Sequence, residues 1–252
     1  MRLNVFLQQA GVGSRREAER LIAEMRVKVN GVTAAATVPV EDGDVVTVDD
    51  RVVASETRPL PRLFMLNKPL DILVTHRDHK GRPTIFDLPA LKPPKWSPVM
   101  PRVMNVGRLD VNSEGLILLS SDGPLAQAMM SPETALSRVY RVRVRGKLTP
   151  ENIAALAEGV TIDGIHYRGA EFVEEYEKGG RSNSWYRVRL TEGKNREIRK
   201  LMEYFGCVVN RLIRVQYGPF QLNELPSGTI REVPPAEVQS FVDFLAAKGV
   251  VL

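Results

Sequence analysis

Cysteine occurs once in this chain, at Cys207, and histidine only three times. A lone cysteine excludes an internal disulfide framework and points to a reducing, cytoplasmic setting. So few histidines leave little for a metal site. His76 and His79 form an H-x-x-H, but it lies in the polar loop "VTHRDHKGRP" with no third ligand in view, so no metal is expected. No apolar run approaches the roughly 18 residues of a membrane span. The opening "MRLNVFLQQAGVGSRREAER" has too short an apolar stretch and too early a charge cluster for a secretory signal. Also missing are a G-x-x-x-x-G-K-[ST] phosphate loop, a G-x-G-x-x-G after a strand and a G-x-S-x-G elbow. These absences set aside P-loop, dinucleotide-binding and α/β-hydrolase chemistry.

What remains is an ordinary globular composition, 43% hydrophobic and 26% charged over 252 residues, enough for one large domain or two smaller ones. Leu3, Phe6, Leu7 and Ala10 fall at i, i+3, i+4, i+7, one helical stripe, with Gly11 placed to end it. Ser14 and Glu17 form the capping box of a second helix with the stripe Ala18, Leu21, Ile22, Met25. "VKVNGVT" reads as a hairpin turning at Asn30-Gly31, and "EDGDVVTVD" as a further turn and strand. Residues 1–53 therefore form a small α/β unit, and "ASETRPLPR", residues 54–62, reads as a linker.

In residues 63–252, "RLFMLNKP" and "GLILLSS" have strand length, and "YRVRVRG" and "WYRVRLTEG" alternate with period two. "TPENIAALAEG" is a short helix opened by Pro150 and closed by Gly159. "NREIRKLMEYFG" is a second, with Ile198, Leu201, Met202 and Phe205 on one face, Asn195 as a candidate cap and Gly206 as its stop. Strands outnumber helices, so the fold class is α+β, with a mixed, largely antiparallel sheet flanked by helices.

The net charge of +5 suits a polyanionic partner only if the basic residues gather. They do so in three places. Arg15, Arg16 and Arg20 lie on the second helix, followed by Arg26 and Lys28; either a solvated face or a phosphate contact accounts for them. "RVYRVRVRGK", Arg138 to Lys147, has five basic residues and no acid. Tyr140, Val142 and Val144 face one side of that strand, and Arg141, Arg143 and Arg145 the other. Lys194, Arg196, Arg199 and Lys200 crowd the start of a helix, where positive charge is unfavourable without a compensating anion. That compensation is either a structural ion pair or a pairing with Asp110. Asp110, which shares "GRLDVNSEGLILLSSDG" with Glu114 and Asp122, is either a turn residue or the carboxylate of a one-acid chemistry.

Several stretches together resemble a known family. "RLNVFLQQAGVGSRREAERLI", "VKVNG" and "DGD", in that order, resemble an S4 RNA-binding domain. "LNKP", "GRPTIFDLP", "GRLDVNSEGLILLSSDG", "YRVRV" and "TEGKNREIRKLMEYFGCVVNRLIRVQYGPF" resemble the RsuA/RluB/RluE/RluF group of bacterial rRNA pseudouridine synthases, and within it the RluB type acting on large-subunit rRNA. The resemblance implies a pseudouridine synthase fold, a flipped-out uridine as substrate and no cofactor. It implies three catalytic residues: Asp110 acting on the ribose, Tyr140 stacking on the base, and Arg199 pairing with Asp110. RNA contacts would come from Arg15, Arg16, Arg20, Lys28, Arg108, Lys194, Asn195 and Arg196. The partner implied is ribosomal RNA or a ribosomal-subunit assembly intermediate, met by a monomer away from any membrane. Two features depart from the RluB pattern: a longer loop "LKPPKWSPVMPRVMN" and a shorter linker before Leu63. The competing expectation is a non-catalytic S4-type RNA-binding assembly factor.

Overall fold

The computed structural model describes residues 1–35, 38–41, 43–53, 60–92, 100–175 and 183–250. Most of the expected linker, residues 54–59, and the middle of the proline-rich loop, 93–99, lie outside them. The chain divides into two compact units, Met1–Pro61 and Arg62–Leu252.

The first unit packs helices α1 (Leu3–Gln9) and α2 (Arg15–Ala23) on a four-stranded antiparallel sheet. Its strands are β1 (Val27–Val29), β2 (Val32–Thr33), β3 (Val46–Val48) and β4 (Arg51–Val53), in the order β2-β1-β3-β4. Leu3, Phe6, Leu7, Ala18, Leu21 and Ile22 form its core with Val27 and Val46. Ser14 caps α2 by accepting from the Glu17 amide at 3.1 Å. Asn30 (φ 51°) and Gly31 (φ 80°) take the left-handed turn that an Asn-Gly hairpin requires. Two stripe positions differ from expectation. Ala10 and Met25 are exposed, because each helix ends before reaching them.

The second unit is built on a nine-stranded sheet. In chain order its elements are β5 (Leu63–Lys68), β6 (Met104–Val106), β7 (Glu114–Ser120), α3 (Gly123–Met130), β8 (Arg138–Arg145), α4 (Pro150–Glu158), β9 (Gly159–Ile162) and β10 (Ile165–Arg168). There follow β11 (Glu171–Glu175), β12 (Asn183–Leu190), α5 (Glu197–Tyr204), β13 (Val208–Tyr217), β14 (Phe220–Gln221), β15 (Ile230–Glu232) and α6 (Pro235–Ala247). The sheet order is β11-β12-β8-β13-β7-β5-β15, with β14 on β13 and β6 on β7; β9 and β10 form a separate hairpin. Among the described residues only the pairing of β13 with β7 in this sheet is parallel, so the α+β class with a largely antiparallel sheet is what the chain adopts. Among the described residues no helix is long and apolar enough to cross a membrane.

Two cores position the site. One joins Leu116 and Leu118 of β7 and Leu125 and Met129 of α3 to Phe241 and Leu245 of α6. The other joins Val142 and Val144 of β8 and Tyr186 and Val188 of β12 to Leu201 and Met202 of α5. The parallel join of β7 to β13 lies between them, and Gly115 makes it possible. Gly115 has φ 98°, and a Cβ there would lie 2.3 Å from the carbonyl oxygen of Arg214. We expect Gly115→Ala to cost more than about 3 kcal/mol, since it combines backbone strain with a clash against backbone. Thermal melting of the purified variant reads this; a melting temperature equal to wild type would refute it.

Candidate active site

Asp110 stands in the turn joining β6 to β7, and that turn is held by its backbone carbonyls. Gly107 opens it with φ 68°, and the Ser113 amide closes on the Asp110 carbonyl at 3.1 Å. Beneath it lies Lys68, the last residue of β5, with no solvent exposure. Its ammonium donates to the carbonyls of Pro69 at 2.9 Å, Val111 at 3.3 Å and Ser113 at 2.7 Å. Three donors meet three acceptors, the full capacity of an ammonium group. Burial pulls its pKa down to about 8, against the opposing charges of Asp71, Glu114 and Asp110.

Arg199 completes the grip. Its Nη2 donates to the Asn112 carbonyl at 2.8 Å and its Nη1 to the Val209 carbonyl at 3.2 Å. Burial, with the neighbouring Arg196 charge, lowers its pKa, while Asp110 opposes that shift. The three carbonyls that follow Asp110 in the chain are therefore each held by a cation.

The Asp110 side chain, 23% exposed, faces a cavity of about 620 Å³ lined also by Arg108, Arg138, Tyr140, Arg214, Tyr217 and residues 190–198. This volume falls in the usual range of small-ligand pockets. Tyr140 reaches it from β8, half-buried at the edge of the second core.

The arginine at ion-pair distance from Asp110 is Arg196, with Nη1 3.8 Å from Oδ2. The resemblance implies Arg199 for this role; in the structure Arg199 is engaged with carbonyls and does not line the cavity. The reason is local. Arg196, not Asn195, holds the N-cap position of α5, in the left-handed conformation (φ 52°, ψ 31°). Its side chain is thereby released from the helix face, whereas Arg199 lies within the first turn and points at the Asp110 loop.

The remaining predicted contacts divide. Arg108 is exposed on the cavity wall, with no carboxylate at ion-pair distance among the described residues. Asn195 is exposed on the same wall. Lys194 is tied down, its Nζ bonded to Glu192 and 5.5 Å from the centre of the Tyr167 ring. In the first unit Arg15 and Arg16 are exposed without ion pairs among the described residues. Arg20, by contrast, pairs with Glu24 at 3.1 Å and Lys28 with Asp50 at 2.7 Å. His76 stacks on Phe86, ring centroids 3.9 Å apart.

Four residues at the site escaped the sequence reading as functional positions: Lys68, Arg138, Arg214 and Glu197. Arg138 is buried and donates to the carbonyls of Leu136 (3.0 Å) and Thr191 (3.3 Å) and to the Tyr217 hydroxyl (2.9 Å). Arg214 donates to the Leu116 carbonyl at 2.7 Å. Both guanidinium groups lie over the Tyr217 ring, at 4.8 and 5.1 Å. Glu197 accepts from the Lys194 amide at 2.8 Å. Burial pushes its pKa up to about 7, and the nearby charge of Glu192 adds to the rise. The available signal was "LNKP", where a lysine continues an apolar strand.

Comparison with known proteins bears on what such a cavity does. Residues 62–204 match a family model described as RNA pseudouridylate synthase, and residues 1–46 match the S4 domain. A relative from Rickettsia felis, named as an uncharacterized RNA pseudouridine synthase, is 40% identical over 92% of this chain and 96% of its own length. One from Pseudomonas aeruginosa, named ribosomal large subunit pseudouridine synthase B, is 40% identical over 100% of this chain. Another of that name from Xanthomonas campestris is 42% identical over 98% of it. The chain spans 64% and 49% of the lengths of those two relatives. A crystal structure of a pseudouridylate synthase superposes with a TM-score of 0.62 at 25% identity, covering 95% of this chain and 98% of that one.

Two outcomes follow from the geometry. Lys68→Met leaves the Val111 and Ser113 carbonyls without their buried donor, at a cost of about 1–3 kcal/mol. Hydrogen exchange should show the Ser113 amide losing protection more than the strands around it; unchanged protection there would contradict the anchoring role. Glu197 has a folded pKa of about 7, above its unfolded 4.5. Its contribution to stability is fully present below about pH 4.5 and is lost as the pH rises through 7. Glu197→Gln keeps the acceptor and removes the charge. We expect it to be neutral at about pH 4.5 and stabilising by about 3 kcal/mol at about pH 8, a rise of roughly 6–12 °C in melting temperature. A melting difference that did not change with pH would be the contrary result.

Proposed function

Because the chain belongs to the RNA pseudouridine synthase family, we propose that it isomerises a uridine of ribosomal RNA, in the large subunit, to pseudouridine in the cavity beside Asp110. The observation that carries this reading is the carboxylate of Asp110 on a rigidly held turn, facing a cavity of about 620 Å³ that can admit a nucleotide and has Tyr140 on its wall. A uridine stacked in RNA cannot reach such a residue, so the nucleotide turns out of its helix and enters the cavity. Tyr140 offers a ring for the base to stack on, and Arg108, exposed at the rim, is placed for a backbone phosphate.

Asp110 then acts on the ribose. The C1′–N1 bond breaks with its electron pair going to the base, the base rotates, and C5 bonds to C1′. The C5 proton leaves and N1 takes up a proton. Atoms and electrons balance within one nucleotide, so the step needs neither oxidant nor reductant. Asp110 serves as nucleophile at C1′ or as base at C2′; either role requires one well-positioned carboxylate. Arg196 places a positive charge 3.8 Å from it. We assign Arg199 to positioning, since its contacts are with the carbonyl of Asn112 in the turn and that of Val209. The S4 unit supports recognition of folded RNA through Arg15 and Arg16. The single cysteine, buried at position 207, supports a cytoplasmic setting.

The test is Asp110→Asn. Pseudouridine formation in ribosomal RNA should fall by more than about 10³-fold while RNA affinity is retained. Persisting activity in that variant would overturn the mechanism. Mapping pseudouridines in both ribosomal RNAs of a strain lacking the protein identifies the site, and an unchanged map would favour the assembly-factor reading.

A further inference from the structure

The sheet of the second unit has a charged face that the proposed chemistry does not use. Along β8, Tyr140, Val142 and Val144 point toward the core under α5, so Arg141, Arg143 and Arg145 project from the opposite face. Strand pairing extends that face sideways. Arg187 of β12 lies directly opposite Arg141, and Arg143 lies between Trp185 of β12 and Arg211 of β13. Five arginines therefore share one patch on three neighbouring strands.

Like charges directly opposite each other destabilise a sheet. Two carboxylates answer five guanidinium groups. Glu175 bridges Arg141 at 2.7 Å and Arg187 at 3.0 Å, and Glu114 holds Arg211 in a two-point pair at 2.7 and 3.0 Å. Arg143 and Arg145 are exposed and have no carboxylate at ion-pair distance among the described residues. Trp185, although on this outer face, is only 8% exposed, and the Arg141 guanidinium lies 4.7 Å from its ring centre. The patch is thus a fixed platform with surplus positive charge, and same-face arginines along β8 stand about 7 Å apart.

We infer that this face of β8, β12 and β13, on the side of the sheet away from Tyr140, is a second RNA-docking surface. It takes the phosphate backbone of the substrate ribosomal RNA, in a segment other than the nucleotide that enters the cavity. The inference rests on the reading of the protein as an rRNA-modifying enzyme. Planar guanidinium groups pair two-point with phosphate oxygens, and an exposed arginine lattice offers no base-specific contacts. The surface therefore contributes affinity and orientation for a large folded RNA, and base selection stays with the cavity.

The experiment compares wild type, Arg143→Gln/Arg145→Gln, and Lys80→Gln/Arg231→Gln, which removes the same charge elsewhere on the second unit. Binding to protein-free, transcribed large-subunit rRNA is measured against salt concentration. The Arg143/Arg145 variant should lose roughly tenfold in affinity at about 0.1 M salt, with its logarithmic salt slope reduced by about 2. The control pair should leave the slope near wild type. An unchanged slope in the first variant, or an equal reduction in both, would overturn the inference. So would full RNA affinity combined with lost binding to a polyglutamate peptide, which would mark an acidic protein as the partner. Pseudouridine formed by wild type on the same RNA is scored separately. If there is none, the enzymatic reading fails while the binding comparison still decides the surface.

Discussion

The buried ammonium of Lys68 is the contact on which the site depends. A lysine with no solvent exposure carries a large desolvation cost, and three backbone carbonyls offset it. Two of those carbonyls belong to Val111 and Ser113, so the same bonds that stabilise the charge immobilise the turn presenting Asp110. Arg199 takes the carbonyl between them. A flexible loop is thereby converted into a rigid bracket, which a carboxylate needs if its reach is to be set in advance.

The cavity itself results from how two cores meet. The α3/α6 core and the α4/α5 core pack separately, and the parallel junction of β7 with β13 passes between them. Gly115 lets these backbones approach, and Arg138, Arg214 and Tyr217 fill the rear wall with hydrogen-bonded charge. The resulting electrostatics are uneven. Glu192 and Lys194 bond to each other and so remove one cation from the wall, whereas Arg108 and Arg196 keep their charge facing the space beside Asp110.

Local patterns in the sequence translated directly into structure where short-range physics governs. The Asn30-Gly31 turn, the Ser14 cap, the Pro150-to-Gly159 helix and the alternation of β8 each depend on residues within a few positions of one another. Elements decided by remote packing were not legible. Helices α3 and α6 have weak amphipathic patterns because both are largely apolar, and their burial against β7 defines them. The start of α5 also escaped: Asn195 was the candidate cap, yet the chain turns left-handed at Arg196, which holds the N-cap position. Arg196 therefore stands at ion-pair distance from Asp110, while Arg199 donates to the carbonyls of Asn112 and Val209.

The sequence by itself determined the two-unit order, the α+β class, the family and the residues that carry charge, since these rest on periodicity, turn chemistry and motif order. The tertiary structure alone decided which cation meets which acceptor. Lys68 and Val111 are 43 residues apart, and Arg199 and Asn112 are 87 apart. Contacts over such separations are set by strand register and by the close approach at Gly115, which no local pattern encodes. The carboxylate of Asp110 was visible in the linear chain, but the grip that fixes its position exists only once β5, β7, α5 and β13 are packed together.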